Sequence, residues 1–271
     1  MEIHFIDVGC GNMTLLLFPD GTAWLYDCHV TTENESSVLT YLRHVLGREG
    51  RTIGAFICSH RDADHMRGIK AIHRHFPFAG IWDNGIAGTT IDSPEYREYI
   101  DLRRQINSGE ITAGYVVKCA GAKIAWINSR DSILTDVNDQ SIAAMIDFNG
   151  SSAVLAGDTS YRPWRDRIVP SYGASLKANI LLGSHHGSLT FFHEPGDSHS
   201  YYTEHIASIR PEMTIISVGK NVHGLPDRKA LELYENHSSG SNTGEKIWMT
   251  DTHGHMKLIL LGAGQWSLSR N

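Results

Sequence analysis

The chain has 271 residues, 24 Lys and Arg against 30 Asp and Glu, a formal net charge of −6, 16 histidines and four cysteines. That length supports a substantial core without disulfides, and the acidic balance excludes a protein held to nucleic acid by its overall charge. No apolar stretch approaches the ~20 residues of a membrane-spanning helix.

In chain order, Ile3–Val8, Thr14–Phe18 and Thr22–Tyr26 read as strands, the last two joined by a turn at Pro19-Asp20-Gly21. Thr32–Leu46 reads as a helix with Val38, Leu39, Leu42 and Leu46 on one face. Ile53–Cys58 is a short apolar run of the kind a buried strand makes. A helical pattern with Met66, Ile69, Ile72, His73 and Phe76 follows, and then a strand through Gly80–Asp83. Ser93–Ile106 is expected to be a helix with Ser93 as N-cap, Pro94 at the first position and Glu95 in the first turn. Tyr115–Lys118 and Lys123–Ile127 are further strand candidates. Asn149-Gly150 suits a type I′ turn between strands Ser141–Phe148 and Ser151–Ala156. Ala178–Leu182 and Met213–Val218 read as strands, and Tyr202–Ile209 and Asp227–Asn236 as helices. Lys246–Thr250 and Met256–Leu261 are expected to close the chain as a hairpin. No linker or repeat divides residues 1–271, so we expect one domain. It is α/β in class, because strands come in runs broken by helices in both halves.

The chemistry concentrates in Ser59-His60-Arg61-Asp62-Ala63-Asp64-His65, where the Ile53–Cys58 run ends and a helix begins. Alternate residues of an extended turn point the same way, so His60, Asp62 and Asp64 can converge, and His65 projects from the helix start. Imidazole nitrogens with carboxylate oxygens suit a dinuclear hydrolytic centre of zinc or manganese. Gly157-Asp158-Thr159 and Ser184-His185-His186-Gly187-Ser188 also stand at strand ends.

The first of these runs resembles the HxHxDH signature of the metallo-β-lactamase superfamily, with Asp62 where the second His usually stands. The HxDxDH form is similar to the soluble C-terminal domain of the DNA-internalisation competence protein ComEC, here as a stand-alone form. The resemblance implies a four-layer αββα sandwich and extends from Phe5 to about Gly254. It implies that Asp158 bridges two metals and that one histidine of the pair ligates the second. Alternation along the strand does not say which, and our reading favours His185, with His186 behind it or against substrate. Asp7-Val8-Gly9-Cys10-Gly11-Asn12 is similar to the family's DVGQGD, which implies that Asp7 orients a ligand from behind; Cys10 and Asn12 depart from the pattern. Asn138-Asp139-Gln140-Ser141 resembles NDxS, which implies that Asn138 or Asp139 faces the first metal or the substrate. Ser217-Val218-Gly219-Lys220-Asn221 resembles SVGKN, which implies a phosphate contact for Lys220. His223 stands in an imperfect match to GHP.

The expected activity is therefore that of a metal-dependent phosphodiesterase, a nuclease acting on DNA, with Asp64 and Lys220 in catalytic roles, two divalent ions (Zn2+ or Mn2+) and no organic cofactor. Two alternatives stand beside it: hydrolysis of a small phosphodiester or another ester, and a non-catalytic metal-bound scaffold or sensor. The four cysteines form no CxxC pair and read as reduced thiols. Met1-Glu2-Ile3-His4 lacks a leader pattern, so we expect a cytoplasmic protein with no membrane partner.

Overall fold

The computed structural model describes residues 1–270 except 132, 133, 195, 197–199, 242 and 243. Its strands are β1 (Glu2–Phe5), β2 (Thr14–Leu17), β3 (Ala23–Tyr26), β4 (Cys28–His29), β5 (Ala55–Ile57), β6 (Ile81–Asp83), β7 (Ser108–Glu110), β8 (Val116–Cys119), β9 (Ala122–Asn128), β10 (Ala143–Phe148), β11 (Ser151–Leu155), β12 (Ile180–Leu182), β13 (Met213–Ile216), β14 (Ile247–Met249), β15 (Met256–Gly262) and β16 (Gln265–Arg270). Apart from β4, which makes only isolated bridges to Met66 and Arg67, they form two sheets, ordered β16-β15-β1-β2-β3-β5-β6-β7 and β14-β13-β12-β11-β10-β9-β8.

The sheets pack face to face with helices on both outer surfaces, and the sequence shows why. Neighbouring residues of a strand point to opposite faces, and in the central strands both faces are covered, so strands such as β2, β5, β12 and β13 are near-continuous apolar runs. Leu16, Ile57 and Leu155 point into the core between the sheets. Leu15 and Phe56 point outward beneath the helices Glu35–Leu46, Ile69–His75 and Pro94–Gln105, meeting Val38, Leu42, Ile72 and Leu102. Val154, Leu181 and Ile216 point outward from the other sheet onto Trp164, Ile206, Ala230 and Tyr234. Each such side chain contributes about 1.5–3 kcal/mol on full burial. The layers are helix, sheet, sheet, helix, as the sequence reading expects.

The Asn149-Gly150 turn joins β10 to β11 with both residues at positive φ, 53° and 89°, as a type I′ turn requires. Ser93 caps its helix by accepting the Tyr96 N–H, and Asp227 caps Arg228–His237 by accepting from Lys229 and Ala230.

Two expectations fail. The helical pattern after His65 is broken into Ala63–Met66 and Ile69–His75, because Arg67 is extended and Gly68 is left-handed. A Cβ at Gly68 would lie 2.6 Å from the Val30 carbonyl oxygen, so the chain bends where only glycine fits. The closing hairpin is also wrong. β14 pairs parallel with β13 in one sheet, while β15 pairs antiparallel with β1 in the other. The short helix Thr250–His253 carries the chain across between sheets, and Thr250 Oγ1 pins it by bonding both the N–H and the carbonyl of Val218, each at 2.9 Å. The terminal hairpin is β15–β16, turning at Ala263 and Gly264.

The parallel order β3-β5-β6 in one sheet and β11-β12-β13 in the other brings several strand ends to one edge of the sandwich. The loops that leave those ends carry the candidate residues.

Candidate metal centre

The loop after β5 is bolted down by its own arginine. Arg61 donates through Nε and Nη2 to the two oxygens of Asp83, at 3.1 and 2.9 Å. Tyr99 Oη at 2.6 Å and Arg103 Nε at 2.7 Å reach the same fully buried carboxylate. Burial alone would raise the Asp83 pKa; the hydrogen bonds and charge of Arg61, with Tyr99 and Arg103, overcome it and hold the group below the ordinary carboxylate value. The sequence reading gave Arg61 no role, although it sits between the ligands and fixes their loop.

His65 is oriented from behind by a residue the sequence reading missed. Asp27 leaves β3 at φ 60° and is fully buried. Its carboxylate accepts from the Ser59 N–H at 2.6 Å, Ser59 Oγ at 2.9 Å, Asn12 Nδ2 at 3.0 Å and His65 Nδ1 at 2.7 Å. Asn12, a departure from the family's pattern, is suited to this place because an amide donates to Asp27, whereas a second carboxylate would need a proton. Asp7, the residue expected in this role, instead accepts the Gly9 N–H, and its own N–H bonds His255 Nδ1. The visible cue was an aspartate directly after a predicted strand, Thr22–Tyr26.

With Nδ1 committed to a group that only accepts, His65 turns its Nε2 inward. That nitrogen is buried, 3.1 Å from Asp158 Oδ2. Around it, Asp64, His65, Asp158 and His186 each bring one ligand atom within 4.8 Å of all the others. His186 Nδ1 donates to the Ser217 carbonyl at 2.9 Å, which leaves its Nε2 facing Asp64 Oδ2 at 3.2 Å. Burial opposes a charge on His65, and the carboxylates of Asp158, Asp27 and Asp64 overcome that opposition, so its pKa lies well above the ordinary value. Burial likewise works against the charge on Asp158, and His65, His185 and His186 drive its pKa far down. The pocket is thus built to hold positive charge between two carboxylates. Two imidazoles and two carboxylates are also a donor set that suits zinc or manganese, so the residues fit a divalent ion.

His60 and Asp62 stand beside this cluster, with the His60 ring 4.1 Å from that of His65. His60 Nε2 is 4.0 Å from Asp158 Oδ2 and 3.9 Å from Asp62 Oδ2. Its Nδ1 is held by Ser59 Oγ at 3.1 Å and Ser141 Oγ at 3.2 Å. Burial and the neighbouring His65 lower the His60 pKa, so the ring is neutral and able to ligate. Asp158 Oδ2 is thus within 4.0 Å of a ring nitrogen of each of His60, His65, His185 and His186.

For the histidine pair the geometry reverses our preference. His186 is in the cluster and His185 is outside it, with Nε2 3.8 Å from Asp158 Oδ2 and Nδ1 3.3 Å from Thr190 Oγ1. Both residues have positive φ, 48° and 53°, which turns the chain tightly enough to send the second ring inward. Strand alternation does not extend through such a turn, so it predicted nothing here.

Asn138 and Asp139 line a cavity of about 80 Å³ beside Asp158, together with His185, Arg162 and Thr190. Asp139 accepts the Ser160 N–H at 2.9 Å, and burial raises its pKa. Neither makes a hydrogen bond to a candidate ligand. Lys220 is exposed and, among the described residues, has no hydrogen-bond or ion-pair partner; His223 is exposed, with its backbone N–H on Asn221 Oδ1. A larger apolar cleft of about 500 Å³, lined by Trp24, Trp82 and Trp126, contains none of the candidate ligands.

Residues 6–215 match the family model of the metallo-beta-lactamase superfamily. The chain belongs to that superfamily. Among solved structures it is similar to the metallo-beta-lactamase fold protein YhfI from Bacillus subtilis, at 13% identity over 95% of this chain and 100% of that one, with a TM-score of 0.57. Zn(2+)-bound PqqB from Methylobacterium extorquens is similar at 11% identity over 96% and 100%, TM-score 0.58. A diphosphatase from the PhnP family is similar at 16% identity over 100% of both chains, TM-score 0.52. At these identities the likeness speaks for the superfamily's fold alone. No curated protein matches the chain.

Proposed function

We propose that this superfamily member is a metal-dependent phosphodiesterase that acts on DNA. The observation that carries the reading is the gathering of buried imidazoles around one carboxylate oxygen: Asp158 Oδ2 lies 3.1 Å from His65 Nε2, 3.7 Å from His186 Nε2 and 4.0 Å from His60 Nε2, and Asp64 completes a four-residue cluster with Asp158, His65 and His186. Divalent ions held there would act as Lewis acids and acidify water near neutral pH. The protein's own part is to hold the ligands in place. Asp27 fixes the His65 tautomer, the Ser217 carbonyl fixes that of His186, and Ser59 with Ser141 anchors His60. Asp62 in place of a histidine favours harder ions and phosphate oxygens, which makes manganese a rival to zinc. The likeness of HRDADH, HHGS and SVGKN to the competence-protein domain is what points to DNA. Lys220, exposed and unpaired among the described residues, is assigned to a phosphate of the substrate.

One domain serves the reaction in this reading, because the first sheet supplies Asp64 and His65 and the second supplies Asp158 and His186. We place it in the cytoplasm on its four free cysteines. No helix among the described residues is long and apolar enough to cross a membrane.

A second reading is favoured by the net charge of −6, which works against binding a long polyanion: hydrolysis of a small phosphodiester. The test is an assay with added Mn2+ or Zn2+ on a bis-aryl phosphodiester, single-stranded DNA, duplex DNA, nitrocefin and a glutathione thioester. Cleavage of DNA supports the first reading and cleavage of the aryl diester alone the second. Cleavage of only nitrocefin or the thioester refutes both, and two bound ions without turnover of anything leaves a scaffold or sensor.

A further inference from the structure

The candidate ligands are not held alike, and Thr89, in the loop after β6, bonds one of them directly. Asp62 Oδ1 accepts two hydrogen bonds from Thr89, from the backbone N–H at 2.7 Å and from Oγ1 at 3.0 Å. That leaves Oδ2 as the oxygen that faces His60 Nε2, 3.9 Å away. The preceding Gly88 lies hard against the ligand loop. A Cβ built on it would be 1.8 Å from the Arg61 carbonyl oxygen and 2.8 Å from Asp62 Oδ1, so no larger residue passes without displacing the backbone. The start of the loop is tied down by the Gly85 N–H on Asp83 Oδ1 and by Asn84 Nδ2 on the Gln140 carbonyl, both at 2.9 Å. Asp83 is also the carboxylate that grips Arg61. The loop and the ligand run are therefore clamped to each other at two points, Arg61 to Asp83 and Asp62 to Thr89.

We infer that Thr89 is a positioning residue for the weaker of two unequal metal sites. With one oxygen taken by Thr89, Asp62 offers a single ligand atom, and the protein atoms available on that side are His60 Nε2, Asp62 Oδ2 and a share of Asp158. The other side offers four residues already gathered within 4.8 Å. Fewer and more widely spaced donors bind an ion less tightly, so the Asp64–His65–Asp158–His186 site fills first and the His60–Asp62 site second. Thr89 raises the affinity of the second site by keeping the Asp62 carboxylate turned toward His60, and it has no contact with the first. The inference rests on the proposed metal centre and goes beyond it by ranking the sites and naming the residue that sets the lower affinity.

The test is titration of the metal-free full chain with Co2+, followed by its visible absorption bands, for wild type, Thr89→Val, Thr89→Ser and Gly88→Ala. Two-phase uptake is expected in wild type. Thr89→Val should weaken the second phase by about 10–100-fold, the usual effect of losing a partner of a metal ligand, and leave the first phase and the melting temperature of the metal-free protein unchanged. Thr89→Ser should restore the second phase, and Gly88→Ala should weaken it at least as much as Thr89→Val. Two equal phases in wild type would overturn the ranking. Two phases left intact by Thr89→Val would overturn the role of Thr89 while the metal centre stands. No Co2+ uptake by wild type would instead refute the metal centre itself.

Discussion

His65 Nδ1 lies 2.7 Å from Asp27 Oδ2, and both side chains are completely buried. The pair joins the end of β3 to the short helix Ala63–Met66 that follows β5, and it decides which nitrogen of His65 faces the centre. An imidazole between an accepting carboxylate and a metal has only one workable tautomer.

Asp27→Asn is expected to lower metal affinity about 10–100-fold with little loss of helix or sheet. The amide can offer its N–H₂ to His65, which would then turn the wrong tautomer toward Asp158. Competition with a chromophoric chelator measures the affinity, and circular dichroism checks the fold. Wild-type affinity in this variant would mean that Asp27 does not orient His65.

The two neighbouring histidines should separate cleanly. His186→Ala removes a member of the four-residue cluster and is expected to reduce both bound metal and turnover to a few per cent or less of wild type. His185→Ala should keep its full metal content, because it is His186 that reaches Asp64, at 3.2 Å, and joins the four-residue cluster, while His185 stands outside it. Elemental analysis of both proteins after metal reloading checks this, and metal loss in the His185 variant alone would reverse the assignment.

Asp83→Ala should be among the most destabilising single changes in the chain. It would leave the charge of the buried Arg61 without a partner and strip Arg103 and Tyr99 of theirs. Removing one partner of a buried ion pair costs about 3–5 kcal/mol, measurable by urea unfolding. A loss below about 1 kcal/mol would show that water already screens the cluster.

His205 sets an expectation for acid. It is fully buried among Trp164, Phe191 and Phe192, with Nε2 on the Phe191 carbonyl at 2.8 Å, and burial lowers its pKa to about 3. The ordinary value is about 6.5, so between roughly pH 6.5 and 3 the unfolded chain takes up a proton that the folded chain refuses. Stability must then fall as the pH falls through that window, with a slope of up to about 1.4 kcal/mol per pH unit from this one group. Above pH 6.5 the group has no effect. His205→Phe, which keeps a ring of similar shape, is expected to flatten the slope, as read from unfolding curves at pH 7, 6, 5 and 4. An unchanged slope would assign the acid sensitivity to other groups.

Much of the architecture was legible because it is local. A strand buried on both faces must be apolar throughout, as at Ile53–Cys58, and a two-residue hairpin needs positive φ, as at Asn149-Gly150. The candidate run was visible for the same reason: His60, Asp62, Asp64 and His65 lie within six positions at one strand end and one helix start, and two of them, Asp64 and His65, enter the four-residue cluster. Asp158 and the histidine pair stood out as polar residues at the ends of apolar strands.

The remainder depended on residues far apart in the chain. Asp27 meets His65 across 38 positions, Ser141 meets His60 across 81, and His186 meets Asp64 across 122. Nothing in the local pattern around Asp27 sets it apart from a turn aspartate, and nothing around Asp7 reveals that its carboxylate stays at home on Gly9. Likewise β14 and β15 look like the two arms of a hairpin, since each is a plausible strand and the segment between them is short. The inward turn of His186 goes with two left-handed backbone angles, and β14 pairs with β13, far from it in the chain, rather than with β15. Composition and periodicity fix which residues are buried and which local turns are possible; which carboxylate stands behind which imidazole is settled only when the two sheets close on one another.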